Sequence, residues 1–169
     1  MTSAELLTDA FERIRAAVHG AVQGLSPDQL AVRLDDKANS IAWLVWHLTR
    51  IQDDHIADVA GVEQAWTSGG FAERFALPFD TAATGYGHTA ADVAAVTVDS
   101  AQLLSDYHDA VHEQTVRFVG GITDADLDRI VDEAWDPPVS LGVRLVSVVN
   151  DNTQHAGQAA FVRGIVVRS

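Results

Sequence analysis

Asp151 and His155 stand four residues apart in the stretch DNTQHAGQ, close to the C-terminal end of the sequence. On a helix, positions i and i+4 lie one above the other, so a carboxylate oxygen and an imidazole nitrogen can reach one point. His47, far upstream in AWLVWHLTR, adds a second imidazole. Two histidines and one carboxylate are the composition of many catalytic sites for zinc and other divalent ions, with one or more coordination positions left open. Alone, an Asp-x3-His pair reads more often as an ion pair on a helix surface. The chain contains no cysteine, so a metal must be held by His, Asp and Glu, and any thiol chemistry must come from outside the protein.

Four helices have to position these residues. Leu6, Leu7, Phe11, Ile14, Val18 and Val22 recur at helical steps over residues 3 to 24. Ser26-Pro27 reads as an N-cap with proline at the first position of a short turn. A second long helix runs from the cap Ser40 to Gly61, a third fits residues 92 to 119, and a fourth extends from about Leu141 to Val167 behind the cap Ser140. Residues 62 to 91 hold Gly69, Gly70, Pro78, Gly85 and Gly87 together with Trp66, Phe71, Phe75, Phe79 and Tyr86. This is a long crossover loop between helices two and three, expected to pack over one end of the helices. The echo of LSPDQL (25 to 30) in ITDADL (122 to 127) divides the chain into two similar halves. The expected fold is all-α: a single domain, 1–169, forming a four-helix bundle of up-down-down-up topology. On helix two His47 falls at the edge of the apolar stripe, and on helix four Asp151 and His155 lie on its margin, so each is expected half-buried at a seam between helices.

Composition excludes several function classes. Lys plus Arg is 11 against 24 for Asp plus Glu, a net charge of −13. No basic run offers a phosphate footprint, which argues against nucleic-acid binding. No apolar run approaches the roughly 18 residues of a membrane span, and the N-terminus lacks a signal-peptide core, so a soluble cytoplasmic protein is expected. One lysine, Lys37, stands beside ten arginines in a chain rich in Ala, Val and Asp, a bias of GC-rich genomes. Apolar residues on helix margins are compatible with a homodimer as well as a monomer.

The segment NSIAWLVWHLTRIQDDH, the W-x2-G-G and TGYGH loop and the late HAGQ resemble the DinB-like superfamily of metal-binding four-helix bundles. That resemblance implies a metal held by a histidine of helix two and a His-x3-His pair of helix four. His47 takes the first place, and His155, followed by Gly157-Gln158, takes the second member of the pair. Asp151 stands where the common pattern has histidine. A carboxylate there is similar to the actinobacterial branch that uses mycothiol, including mycothiol-dependent maleylpyruvate isomerase and the mycothiol S-transferases. The resemblance therefore implies a divalent metal, zinc by preference, with mycothiol as cosubstrate and a small electrophile as its acceptor, in a detoxifying S-transferase. No protein side chain is then catalytic beyond the metal-activated thiol. The alternatives are a thiol-dependent isomerase or a metal-hydroxide hydrolase on the same fold, or a non-catalytic metal-binding or interaction module.

Other residues compete. Arg144 could meet an anionic group of the substrate or pair with Asp132 or Glu133; Gln158 could frame the site or bridge helices; Trp43 and Trp46 could touch substrate or only pack. His55, two turns from His47, reads as a core histidine bonded to a neighbouring helix. His108 and His112 form a genuine His-x3-His, but Asp106, Asp109 and Glu113 around them suggest an exposed polar face. Asp53-Asp54 read as a solvated face or as partners orienting a metal-bound imidazole. His19 and His88 carry no further signal.

Overall fold

In the computed structural model, residues 1–168 are described; Ser169, the last residue of the expected domain, lies outside them. The chain is predominantly helical: α1 Ser3–Val22, α2 Pro27–Ala31, α3 Ile41–Ala60, α4 Ala65–Ser68, α5 Phe71–Phe75, α6 Ala90–Ala95, α7 Ala101–Val119 and α8 Leu141–Val166. A 3-10 turn at Asp124–Asp128 and a two-stranded antiparallel ribbon, β1 Ile130–Asp132 with β2 Val139–Ser140, precede α8. No helix among the described residues is long and apolar enough to cross a membrane.

The helix ends follow local chemistry. Ser26, Ser40 and Ser140 each accept the amide of the third residue of the helix they open. Gly61 closes α3 in the left-handed conformation, φ 67°. The third helix departs from expectation. Residues 92 to 119 are not one helix, because a capping box between Thr89 and Asp92 starts the short α6 and Ser100 starts α7 anew. Between them Val96 and Val98 are buried, where their β-branched side chains favour extended backbone over helix.

The long helices pack in a ring, α1 and α3 each against both α7 and α8. Hydrogen bonds from Arg144 to His55 and from Asn152 to Gln52 show α3 and α8 running antiparallel. Gln52 also receives no solvent; its amide donates to Thr115, so one side chain ties α3 to α7 and α8. Along α3, every residue from Ile41 to Arg50 is buried. The reason is tertiary: α7 and α8 cover one side, and the crossover of residues 62 to 100 folds over the other. His47 is consequently 6% exposed and buried rather than at a half-exposed seam.

His108 and His112 are also buried, contrary to the polar face expected for them. They point from α7 at α1, where the His112 Nε2 lies 3.1 Å from Glu12. Asp109 turns outward to receive Arg15 and His19. Both ring nitrogens of His108 are without a partner. Burial, then the neighbouring His112, lower its pKa to about 3, against an opposing pull from Asp109. Because the folded value lies below the unfolded 6.5, the unfolded chain takes up a proton that the native state refuses. Stability is therefore lost as pH falls below 6.5 toward 3, by up to about 1.4 kcal/mol per pH unit. His108→Leu should be more stable by about 1–2 kcal/mol at pH 7 and should flatten the decline between pH 6.5 and 5. Urea titrations at three pH values check this; an unchanged pH slope counts against it.

Candidate metal centre

Trp43, Trp46 and His47 lie within one turn of α3, and Asp151 and His155 within one turn of α8. The structure brings His47, Asp151 and His155 together, with one potential donor atom from each all within 4.8 Å of one another. Donors around a tetrahedral ion with 2.0–2.1 Å bonds sit roughly 3.4 Å apart, so the cluster needs only a small inward adjustment to close on an ion.

Both imidazoles are oriented by backbone carbonyls. His47 Nδ1 lies 2.6 Å from the Thr84 carbonyl oxygen, and His155 Nδ1 lies 2.9 Å from that of Asp151. A carbonyl only accepts, so each Nδ1 carries the proton and each Nε2 is left as a free lone pair. The Asp151 Oδ2 atom is buried without a hydrogen-bond partner, 3.4 Å from His155 Nδ1. An orphaned carboxylate oxygen beside two committed tautomers fits a divalent cation. Burial lowers the His47 pKa, opposed by the Thr84 carbonyl. Burial acts the same way on His155, but the Asp151 carboxylate and carbonyl outweigh it and the value is raised.

An aromatic wall closes one side. Trp43 stacks on His47 at 4.5 Å and 16° and is 6.2 Å from His155. Its indole N–H donates to His88 Nδ1 at 3.1 Å. His88 in turn stacks on Trp46 and contacts Phe79, at 5.7 and 4.6 Å between ring centres. His88 thus belongs to the surroundings of the site, although beyond its place in TGYGH nothing in the sequence marked it. Gly85 explains how the loop comes so close: at φ 92°, a Cβ there would fall 2.7 Å from His47 Nδ1 and 3.1 Å from Trp46.

Arg50 and Asp53, one and two turns after His47, fasten this crossover. The fully buried Arg50 guanidinium donates to the carbonyls of Ala83 at 3.0 Å and Thr81 at 3.4 Å and to Gln64 at 2.7 Å. Asp53 accepts the amides of Ala65 and Trp66 and the Tyr107 hydroxyl, at 2.8–2.9 Å. It is 1% exposed, which corrects the reading of a solvated face for Asp53, whereas the Asp54 side chain is 42% exposed. Nor does either carboxylate orient His47: Asp54 accepts from Gln64, and the partner of His47 is the Thr84 carbonyl. The TGYGH spacing was the one signal for this loop, since a glycine flanking a loop aromatic marks a close backbone approach.

The remaining residues separate. Arg144 is bound to Asp132 at 2.8 Å and to His55 at 2.8 Å, about 10 Å along α8 from Asp151. That contact also makes His55 the helix-bridging histidine expected of it. Gln158 is exposed and lines a cleft one turn beyond His155.

The model of a family described as mycothiol-S-transferase matches residues 6–167. A solved structure described as the conserved protein of a locus from Enterococcus faecalis superposes with a TM-score of 0.92 at 29% identity, covering 100% of this chain and 99% of that one. No curated protein matches the sequence.

Proposed function

The chain belongs to the mycothiol-S-transferase family, and from that premise we propose that it is a divalent-metal-dependent transferase joining mycothiol, through sulfur, to an electrophilic carbon of a small molecule. The observation that carries this reading is the pair of imidazoles with both Nδ1 atoms held by carbonyls, facing an orphaned buried carboxylate oxygen. In this reading His47, Asp151 and His155 are the metal ligands, and zinc is the ion best matched to two imidazoles and a carboxylate. The four long helices form an up-down-down-up bundle with the ligands facing one another across its α3–α8 seam.

The metal, when bound, supplies the Lewis acidity that lets a thiol lose its proton at neutral pH. Everything else is the work of the chain. Thr84 and the Asp151 carbonyl hold the imidazoles in the required tautomer. Trp43 and the crossover exclude water from one side of the site. The thiol proton passes to solvent, the sulfur electron pair forms the new carbon–sulfur bond, and the leaving group departs with the pair of the bond it breaks. In this reading Gln158, which lines the cleft beyond His155, and Trp43, stacked on His47, are the residues that meet substrate. Arg144 reaches an anionic substrate group only by giving up Asp132 and His55. The absence of cysteine from the sequence suits a protein that takes its nucleophile from solution.

Thiol dependence is the direct test. Turnover of an alkyl halide should require both the metal and mycothiol. Hydrolysis of the halide by the metal-loaded protein without any thiol would overturn the transferase reading and favour water as the nucleophile.

The loop contribution has its own test. Gly85→Ala places a methyl group against His47 and forces an unfavourable φ. It should lower metal affinity about 10–100-fold while the helix content stays native. Metal titration of the variant followed by circular dichroism reads both; native affinity would remove Thr84 and Gly85 from the site.

A further inference from the structure

A cleft of about 380 Å³ opens where the start of α3 meets the last turns of α8, lined by Asn39, Leu44, Gly157, Gln158, Phe161 and Val162. Its place is set by the ligand helices. Leu44 precedes His47 by three residues and Gln158 follows His155 by three, and since α3 and α8 are antiparallel both steps lead toward the same end, about 4.5 Å along each axis. The volume lies within the range of small-molecule sites.

No lining side chain is charged. The nearby Arg33 is committed, donating to the carbonyls of Ala38 and Asp36. Phe161 is 67% exposed at the rim. Gly157 on the floor is the second observation. Glycine inside a helix is destabilising relative to alanine. Here neither backbone nor packing asks for it: its φ is helical, and a Cβ would meet nothing within 4 Å. Gly20 and Gly164 share such open surroundings, but they stand in the last turns of their helices. Gly157 stands mid-helix, one turn from the ligands, where a missing Cβ lets a ligand lie close to the helix backbone.

We propose that this cleft holds the uncharged, apolar body of the electrophilic co-substrate, packed between Leu44 and Phe161 over Gly157. A polyhydroxylated thiol is the poorer occupant, because Asn39 and Gln158 can pair few of its hydroxyls and the rest would be left against Leu44, Phe161 and Val162. The assignment of the occupant as the electrophile rests on the transferase reading above, whereas the selectivity of the cleft for neutral apolar ligands does not.

The experiment separates the two. Binding of p-xylene and of its charged counterpart p-toluate is followed by ligand-observed NMR on the protein with and without zinc. p-Xylene should bind and p-toluate should bind at least about tenfold more weakly. Gly157→Ala should weaken p-xylene binding about tenfold while raising the melting temperature by about 2–3 °C and leaving metal content intact. Phe161→Ala, exposed and remote from the core, should weaken binding as well. In turnover, benzyl chloride should show a KM about tenfold below that of 4-(chloromethyl)benzoate, and Gly157→Ala should raise it. Absent p-xylene binding, or binding indifferent to both variants, overturns the cleft. Binding with the expected variant effects, but no thiol transfer to either chloride, leaves the cleft standing and sinks the transferase reading instead. Equal KM values for the two chlorides overturn the preference for uncharged substrates.

Discussion

His47→Ala should lose its metal and its transferase turnover together while the helices remain folded. His47 is the donor that α3 contributes; without it only Asp151 and His155, both on α8, stay within reach of an ion. Two donors from one helix turn do not enclose a divalent cation, and affinity should fall by about 10³-fold or more. The space left beneath Trp43 and beside the Thr84 carbonyl costs about 1–2 kcal/mol, well within the stability of a domain of this size. Elemental analysis and a thiol-transfer assay on one preparation provide the check. A His47→Ala protein that keeps stoichiometric metal or full turnover would overturn the ligand assignment. His55→Ala serves as the control. It lies on the same helix, bonded to Arg144 away from the cluster, and should keep its metal.

Arg50→Met carries the largest expected cost in stability. The substitution keeps most of the side-chain volume but removes the donors to Ala83, Thr81 and Gln64 and the positive charge 3.8 Å from Asp53. Both members of that pair are fully buried, so the Asp53 carboxylate is left without a counter-charge in the interior. Breaking a buried pair from one side costs about 3–5 kcal/mol, a fall of roughly 10–15 °C in melting temperature for a chain of this length. The effect should reach the site. Arg50 holds the carbonyl of Ala83, next to Thr84, and a loosened crossover no longer fixes the tautomer of His47. Thermal denaturation and metal titration together test this, and a loss below about 1 kcal/mol with native metal affinity would show that Asp53 and aromatic packing hold the crossover without Arg50.

Arg50 holds the crossover, the segment that sequence reasoning read least well. Periodicity placed α1, α3 and α8 and missed the break between α6 and α7, because Ser100 is a cap inside a stretch whose apolar spacing still looks helical. The candidate metal ligands His47, Asp151 and His155 could be named from residue type, spacing and resemblance, and the structure brings them together. His88, Thr84 and Arg50 could not, since a loop histidine, a backbone carbonyl and a mid-helix arginine are unremarkable until the chain that faces them is known. For His108 and Asp53 the sequence was misleading. Their charged neighbours suggested water, but His108 is covered by α1, which also pairs the neighbouring Asp109, and Asp53 lies under the crossover, so burial is decided by what covers that side.

What the sequence determined alone is therefore what acts over three or four residues: the caps at Ser26, Ser40 and Ser140, the left-handed stop at Gly61, and the stacking of Asp151 under His155 on one helix face. These depend on a side chain reaching a backbone amide or a neighbour one turn away, and that reach is written in local spacing. Only the tertiary structure decided that a donor from α3 meets two donors from α8 a hundred residues later, that the Thr84 carbonyl sets the tautomer of His47, and that Gly157 opens into a cleft rather than onto a neighbouring helix. Those outcomes depend on which helix faces cover one another, and the chain settles that by burying its apolar surface as a whole.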